Sequence, residues 1–295
     1  MKTILLRTAF YLIASLICAT ACNKTDDPVA TPALAFESVP TLKSMTPWIN
    51  EASGIAESKA NSGMLWVHED SGTPAQLYLI GKDGVLAKKI FFKAAVNKDW
   101  EDITLAPGPI AGKNYLYVGD IGDNNAVNSF VTIYRTEEPL ASTDTIRTCD
   151  TINFKYADGP RDAEALLVDN TTKDIYIITK REARSRIYKL SYPYSITTVN
   201  TANFLFDLPC NLVVSAAMSS DSKEIIVKTY TSLYYYQRSS TETIEQALQK
   251  TAITLGYQQE PQGEAVCFAN DNTGIFCLSE NPSLAVQQLQ FYKRK

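Results

Sequence analysis

The chain has 295 residues, 45% hydrophobic and 20% charged, enough apolar material for a large core. A net charge of -4 with no basic run excludes a nucleic-acid binder of the usual basic-stripe kind. A single histidine, His68, excludes a multi-histidine metal site, and no cysteine spacing suggests zinc.

Residues 1–21 read as a signal peptide: Lys2 and Arg7 precede the apolar run "AFYLIASLICATA", which is short for a membrane span. The run ends in "ATAC", which resembles a bacterial lipobox with Cys22 as the lipidated residue; ordinary secretion with cleavage near Ala21 is the alternative. Residues 22–35 are polar and proline-containing, as a tether should be, and residues 36–295 form one domain. This places the chain in a bacterial cell envelope, attached through a lipid anchor, with the outer membrane as the expected site on its periplasmic or surface side. Of the remaining cysteines, Cys267 and Cys277 flank an expected hairpin and allow a disulfide; buried free thiols are the other reading for them and for Cys149 and Cys210.

Beyond the tether, strand-like runs rich in Tyr, Val and Ile dominate, as in "LWVHED", "YLYVGD", "DIYIIT", "EIIVKTY" and "GIFCLSE". Helical periodicity is confined to "ETIEQALQK". A unit recurs five times: a polar residue, a short strand, a turn, a stronger strand, a polar cluster, then further strands. Ser53, Glu101, Glu164, Ser215 and Glu264 mark the successive units, separated by 48, 63, 51 and 49 residues. These spacings predict an all-β fold, a five-bladed β-propeller of four-stranded antiparallel blades. The fifth unit lacks an outer strand, so "LAFESVPTL" near the N-terminus is expected to close the ring. A six-bladed ring is the alternative and would need a further blade between residues 102 and 164.

In such a meander the second strand ends level with the start of the first. The five marker residues are then expected to converge on the mouth of a central channel. Three carboxylates crowded there repel one another unless protonated or neutralised. A hard cation such as Ca2+, which takes about six to eight oxygen ligands, resolves the conflict. The same residues could instead tie neighbouring blades together by bonding backbone amides.

At these residues the sequence resembles the soluble calcium-activated nucleotidases, the apyrase family of five-bladed propellers. "LWVHEDSG", "LYVGDIGD", the pair Lys180-Arg181 and "EIIVKT" with Lys228 carry the likeness, in short patches across residues 50–282. The resemblance implies a central calcium held by Ser53, Glu101, Glu164, Ser215 and Glu264, one residue per blade. The last blade and the insertion before the third marker depart from that family's pattern, which puts nucleotide hydrolysis in doubt. "SGIA" and "GEAVCF" also resemble phytase-like propeller domains of bacterial envelope proteins.

The ends of the second strands add His68, Asp120, Asp123, Lys180, Arg181 and Lys228 as candidate ligand-binding residues. Mixed signs suit a small anionic ligand held beside a bridging cation. Asp70 or Glu280 would then deprotonate a calcium-bound water, the arrangement of a calcium-dependent phosphohydrolase. A solvated rim of salt bridges is the other reading of this face. Two functions therefore stand at this point: hydrolysis of a phosphorylated small molecule, or non-catalytic binding of a ligand or surface partner protein.

Overall fold

The repeated unit becomes a repeated meander because each unit supplies a reversal as well as strands. Gly63, Gly112, Lys173, Ser222 and Asn272 have positive φ and fall one or two residues before the second strand of the five units. A left-handed residue there lets the chain turn sharply enough for adjacent strands to pair. The computed structural model describes residues 35–47, 49–281 and 286–295. The signal segment, Cys22 and residues 22–34 of the tether lie outside the described residues. Among the described residues, no helix is long and apolar enough to cross a membrane.

The chain enters on β1 (Thr41–Ser44) and runs through β2 (Ala52–Glu57), β3 (Met64–Glu69), β4 (Gln76–Gly81) and β5 (Leu86–Phe92). The second meander is β6 (Trp100–Pro107), β7 (Asn114–Asp120) and β8 (Val131–Glu137), then the short β9 (Thr145–Ile146) and β10 (Asp150–Tyr156). The third is β11 (Ala163–Val168), β12 (Ile175–Thr179), β13 (Arg186–Leu190) and β14 (Asn200–Asp207). The fourth is β15 (Val213–Met218), β16 (Glu224–Thr229), β17 (Leu233–Gln237) and β18 (Ile253–Leu255), with α1 (Ile244–Leu248) before its last strand. The fifth is β19 (Ala265–Phe268), β20 (Gly274–Leu278) and β21 (Gln288–Lys293), and β1 pairs antiparallel with β21.

All-β is correct, but the hydrogen bonding corrects the expected architecture. Among the described residues the strands form four sheets of 4, 8, 4 and 5 strands, with no set of five equivalent four-stranded blades and no sixth. The eight-stranded sheet arises because β10 pairs in parallel with β14, joining the second and third meanders at their outer strands. The fifth strand of another sheet is β9, which leaves the second meander to pair in parallel with β5. Outer strands present unpaired amides and carbonyls, so two that meet will pair. Neither the regular five-bladed propeller nor its six-bladed alternative describes this pattern.

The first strands of the meanders, β2, β6, β11, β15 and β19, lie against one another in a nearly closed ring. β2 and β11 are buried along their whole length, whereas the outer β5 alternates towards solvent. Apolar layers fill the wedges between meanders; Trp66, Trp100, Leu116 and Tyr134 form one of them. Truncating a fully buried tryptophan of this kind costs about 3–5 kcal/mol.

Cys149, Cys210, Cys267 and Cys277 are free thiols. The register pairs Cys267 with Phe276 and Val266 with Cys277, so the two cysteines project from opposite faces of the hairpin. They enter different apolar clusters.

Candidate metal centre

Four of the inner strands begin with an irregularity. The pairing of β6 with β7 skips Glu101, that of β11 with β12 skips Glu164, and that of β2 with β3 skips Ser53. An extra residue at a bulge leaves the ladder and is re-aimed. In β15 the skipped residue is Val214, and Ser215 takes the position that Asp102 has in β6.

This register separates two neighbouring carboxylates. Asp102 turns into the ring and accepts hydrogen bonds from the amides of Ile103 (2.9 Å), Leu166 (3.0 Å) and Ala216 (3.3 Å) and from the Ser215 hydroxyl (3.1 Å). It ties β6 to β11 and β15. Burial pushes its pKa well above the usual carboxylate value, although these donors oppose the shift. Ser53 is also a tie, donating to the Glu101 carbonyl at 2.7 Å. The marker set therefore divides: Glu101, Glu164 and Glu264 lie near enough to repel one another, while the hydroxyls of Ser53 and Ser215 are used in holding strands.

The carboxylates assemble two groups. Oxygens of Asp70, Asp99 and Glu101 lie within 4.8 Å of one another, as do those of Glu101, Asp162 and Glu164. Each group can coordinate a divalent metal ion. Asp99 is placed by its loop: Asp120 Oδ1 accepts from the amides of Lys98 (3.1 Å) and Asp99 (2.8 Å), and Asn97 bridges to the Asp70 carbonyl at 2.8 Å. Gly122 leaves the space between them. A Cβ there would sit 2.3 Å from Glu101 Oε1 and 2.4 Å from Asp99 Oδ2. The glycine of "GDIGDN" thus does more than turn the chain.

Electrostatics set the two groups apart. Glu101 is only 3% exposed, and its carboxylate accepts no hydrogen bond among the described residues. Burial, followed by repulsion from Glu164, Asp70 and Asp99, raises its pKa well above normal. Burial lifts Asp70 to about 6, and burial followed by Asp162 raises Asp99. The bases on this face pair elsewhere. Lys180 Nζ is 2.5 Å from Glu164 Oε1 and 3.8 Å from Glu264 Oε1. Arg181 Nε is 2.6 Å from Asp162 Oδ2, and Lys228 Nζ is 2.6 Å from Glu260 Oε2. Burial still lifts Glu164 to about 8 despite Lys180, and Glu280 to about 9 with Glu264 beside it.

These pairings correct the expected anion-binding mouth and the phosphohydrolase reading built on it. Lys228 is fully buried under Glu260 and Tyr257, and Lys180 is committed to Glu164. His68 is also fully buried, edge-on to Trp100; burial lowers its pKa to about 4, so it faces no ligand. Asp123 accepts the amides of Val127 (3.1 Å) and Asn128 (2.8 Å), a loop closure. Glu280 accepts from Gln262 at 2.6 Å, and Glu264 from the Tyr230 hydroxyl at 2.5 Å.

No protein-family model and no curated protein matches the chain. The resemblance to the calcium-activated nucleotidases therefore remains a likeness of short phrases, and the uneven sheets overturn it as an assignment of the chain.

Asp99 and Asp162 belong to the carboxylate groups and Glu260 pairs with Lys228, and none of the three was among the residues singled out by sequence. The first two carry a readable signal: "DWE" and "DAE" place an aspartate two residues before Glu101 and before Glu164. Glu260 has no such signal, because its partner lies 32 residues away.

Proposed function

We propose that the chain is a calcium-binding protein whose ion is held by Asp70, Asp99 and Glu101. The observation that carries this reading is that three carboxylates converge with no compensating base among the described residues, the lysines and arginines of this face pairing with other acids. The donors are all oxygens, which suits a hard cation and disfavours softer metals. Calcium accepts an irregular shell completed by carbonyls and water, whereas magnesium holds its octahedral water shell more firmly. The space that Gly122 leaves beside Glu101 and Asp99 supports the same reading.

A melt in graded calcium, magnesium and chelator tests it. Binding to the folded state adds about 2.7 kcal/mol of stability at a hundred times Kd, so the melting temperature rises as calcium increases. Glu101→Gln and Gly122→Ala should each remove that response, the first while raising metal-free stability by relieving repulsion. A wild-type melt indifferent to calcium and chelator overturns the proposal.

A further inference from the structure

A cleft of about 530 Å³ opens beside the fifth meander, between the segment leading into β19, the end of β20, and β21 with β1. Clefts of roughly 300–1,000 Å³ are the size that takes small molecules. Two of the lining residues are buried and incompletely used. Glu260, 5% exposed, accepts from the Lys228 ammonium at 2.6 Å and the Tyr257 hydroxyl at 2.9 Å, both through Oε2. Its Oε1 meets no donor among the described residues. Asn281 is as buried, and its Nδ2 meets no acceptor among them. Buried polar atoms in folded chains are nearly always paired, so an acceptor and a donor left open at one cleft call for a partner from outside the chain.

Charge narrows what that partner is. Among the described residues no lysine or arginine lines the cleft, which disfavours an anion. The two lining carboxyls offer little to a cation. Glu260 is paired with Lys228, while Glu280 accepts from Gln262 at 2.6 Å, and burial beside Glu264 lifts its pKa to about 9, leaving it uncharged near neutrality. The remaining polar side chains include the neutral Gln258, Gln259 and Ser279, and Leu42, Pro261 and Val286 add apolar surface. Hydroxyls both donate and accept, so a polyhydroxylated molecule can satisfy a carboxylate oxygen and an amide at once and rest its C–H groups on apolar side chains.

We propose that this cleft binds a neutral sugar, one hydroxyl donating to Glu260 Oε1 and another accepting from Asn281 Nδ2. None of Asp70, Asp99 and Glu101 lines the cleft, so the proposal stands apart from the calcium reading.

Saturation-transfer NMR and calorimetric titration of the full chain test it, with chelator present throughout so that failure of the calcium reading leaves the result unaffected. Glucose, galactose and mannose are the neutral probes, and glucuronate and glucosamine the charged ones. Binding is measured directly because sugars also stabilise folded chains by exclusion from their surface. At least one neutral probe should bind saturably, and the charged probes more weakly. Asn281→Asp exchanges the donor for an acceptor of the same size and should weaken binding about tenfold, the loss of one hydrogen bond. Should that variant fail to fold, Asn281→Leu carries the same expectation. Binding of no neutral probe, preference for a charged one, or binding that both Asn281 variants leave intact overturns the proposal, and ordered water is then the partner of the two atoms.

Discussion

The acidic face has two halves that share composition and differ in how the charge is met. On the side of the first two meanders, Asp70, Asp99 and Glu101 converge without a base among the described residues. On the side of the later ones, Lys180, Arg181 and Lys228 each take a carboxylate of their own: Glu164, Asp162 and Glu260. A buried ion pair is compensated within the chain, so its carboxylate has little to offer a metal. An uncompensated group of acids is unstable as it stands and gains most from an external cation. The difference favours the first half as the place for a divalent ion.

The largest effect should come from breaking the compensated half. Lys228→Met leaves Glu260 as an unpaired acid 5% exposed, and Glu260 Oε1 already lacks a partner. Removing one member of a buried pair costs about 3–5 kcal/mol. Denaturant unfolding should show that loss with calcium affinity unchanged. The double replacement Lys228→Met/Glu260→Gln should recover much of it. A calcium defect in Lys228→Met at full occupancy of the fold would merge the two halves into one network.

The pH dependence sharpens the contrast next. Asp70 and Glu280 have folded pKa values of about 6 and 9, against ordinary values of 3.8 and 4.5. The folded chain therefore keeps protons that the unfolded chain has released, and stability falls as pH rises through this interval. Without calcium, the melting temperature should decline from about pH 4 to pH 9. Saturating calcium favours the deprotonated form of Asp70, so the lower part of that decline should flatten first. A metal-free melting temperature that rises across this window would contradict the assigned burial of these acids.

Much of the frame was legible from residues, because alternating Tyr, Val and Ile runs and turn residues report strands directly. The convergence of Glu101, Glu164 and Glu264 was legible too, since it follows from where a first strand begins. The joining of β10 to β14 was not, because it depends on two outer strands meeting across loops of unrelated sequence. The register of β15 was hidden for another reason. "VVSAA" is buried throughout, so no polar alternation marks the bulge, and Ser215 stood where the ladder places Val214. The fate of the bases was the least readable, because which acid a lysine meets is decided by packing between distant strands.

The smallest expected effect concerns Arg181. Its side chain is 51% exposed, unlike Lys180 at 8% and Lys228 at 0%, so water competes for its guanidinium even though Asp162 is buried. Screened pairs of this kind contribute about 0–1 kcal/mol. Arg181→Gln should therefore shift stability by no more than about 1 kcal/mol, and the shift should shrink further as salt is raised. Calcium affinity should stay unchanged, because the guanidinium pairs with Asp162 and not with Asp70, Asp99 or Glu101. A loss comparable to that of Lys228→Met would show that the later half is held by one coupled chain of charges rather than by separate pairs. The ion's preference for the first half would then need a cause other than local compensation.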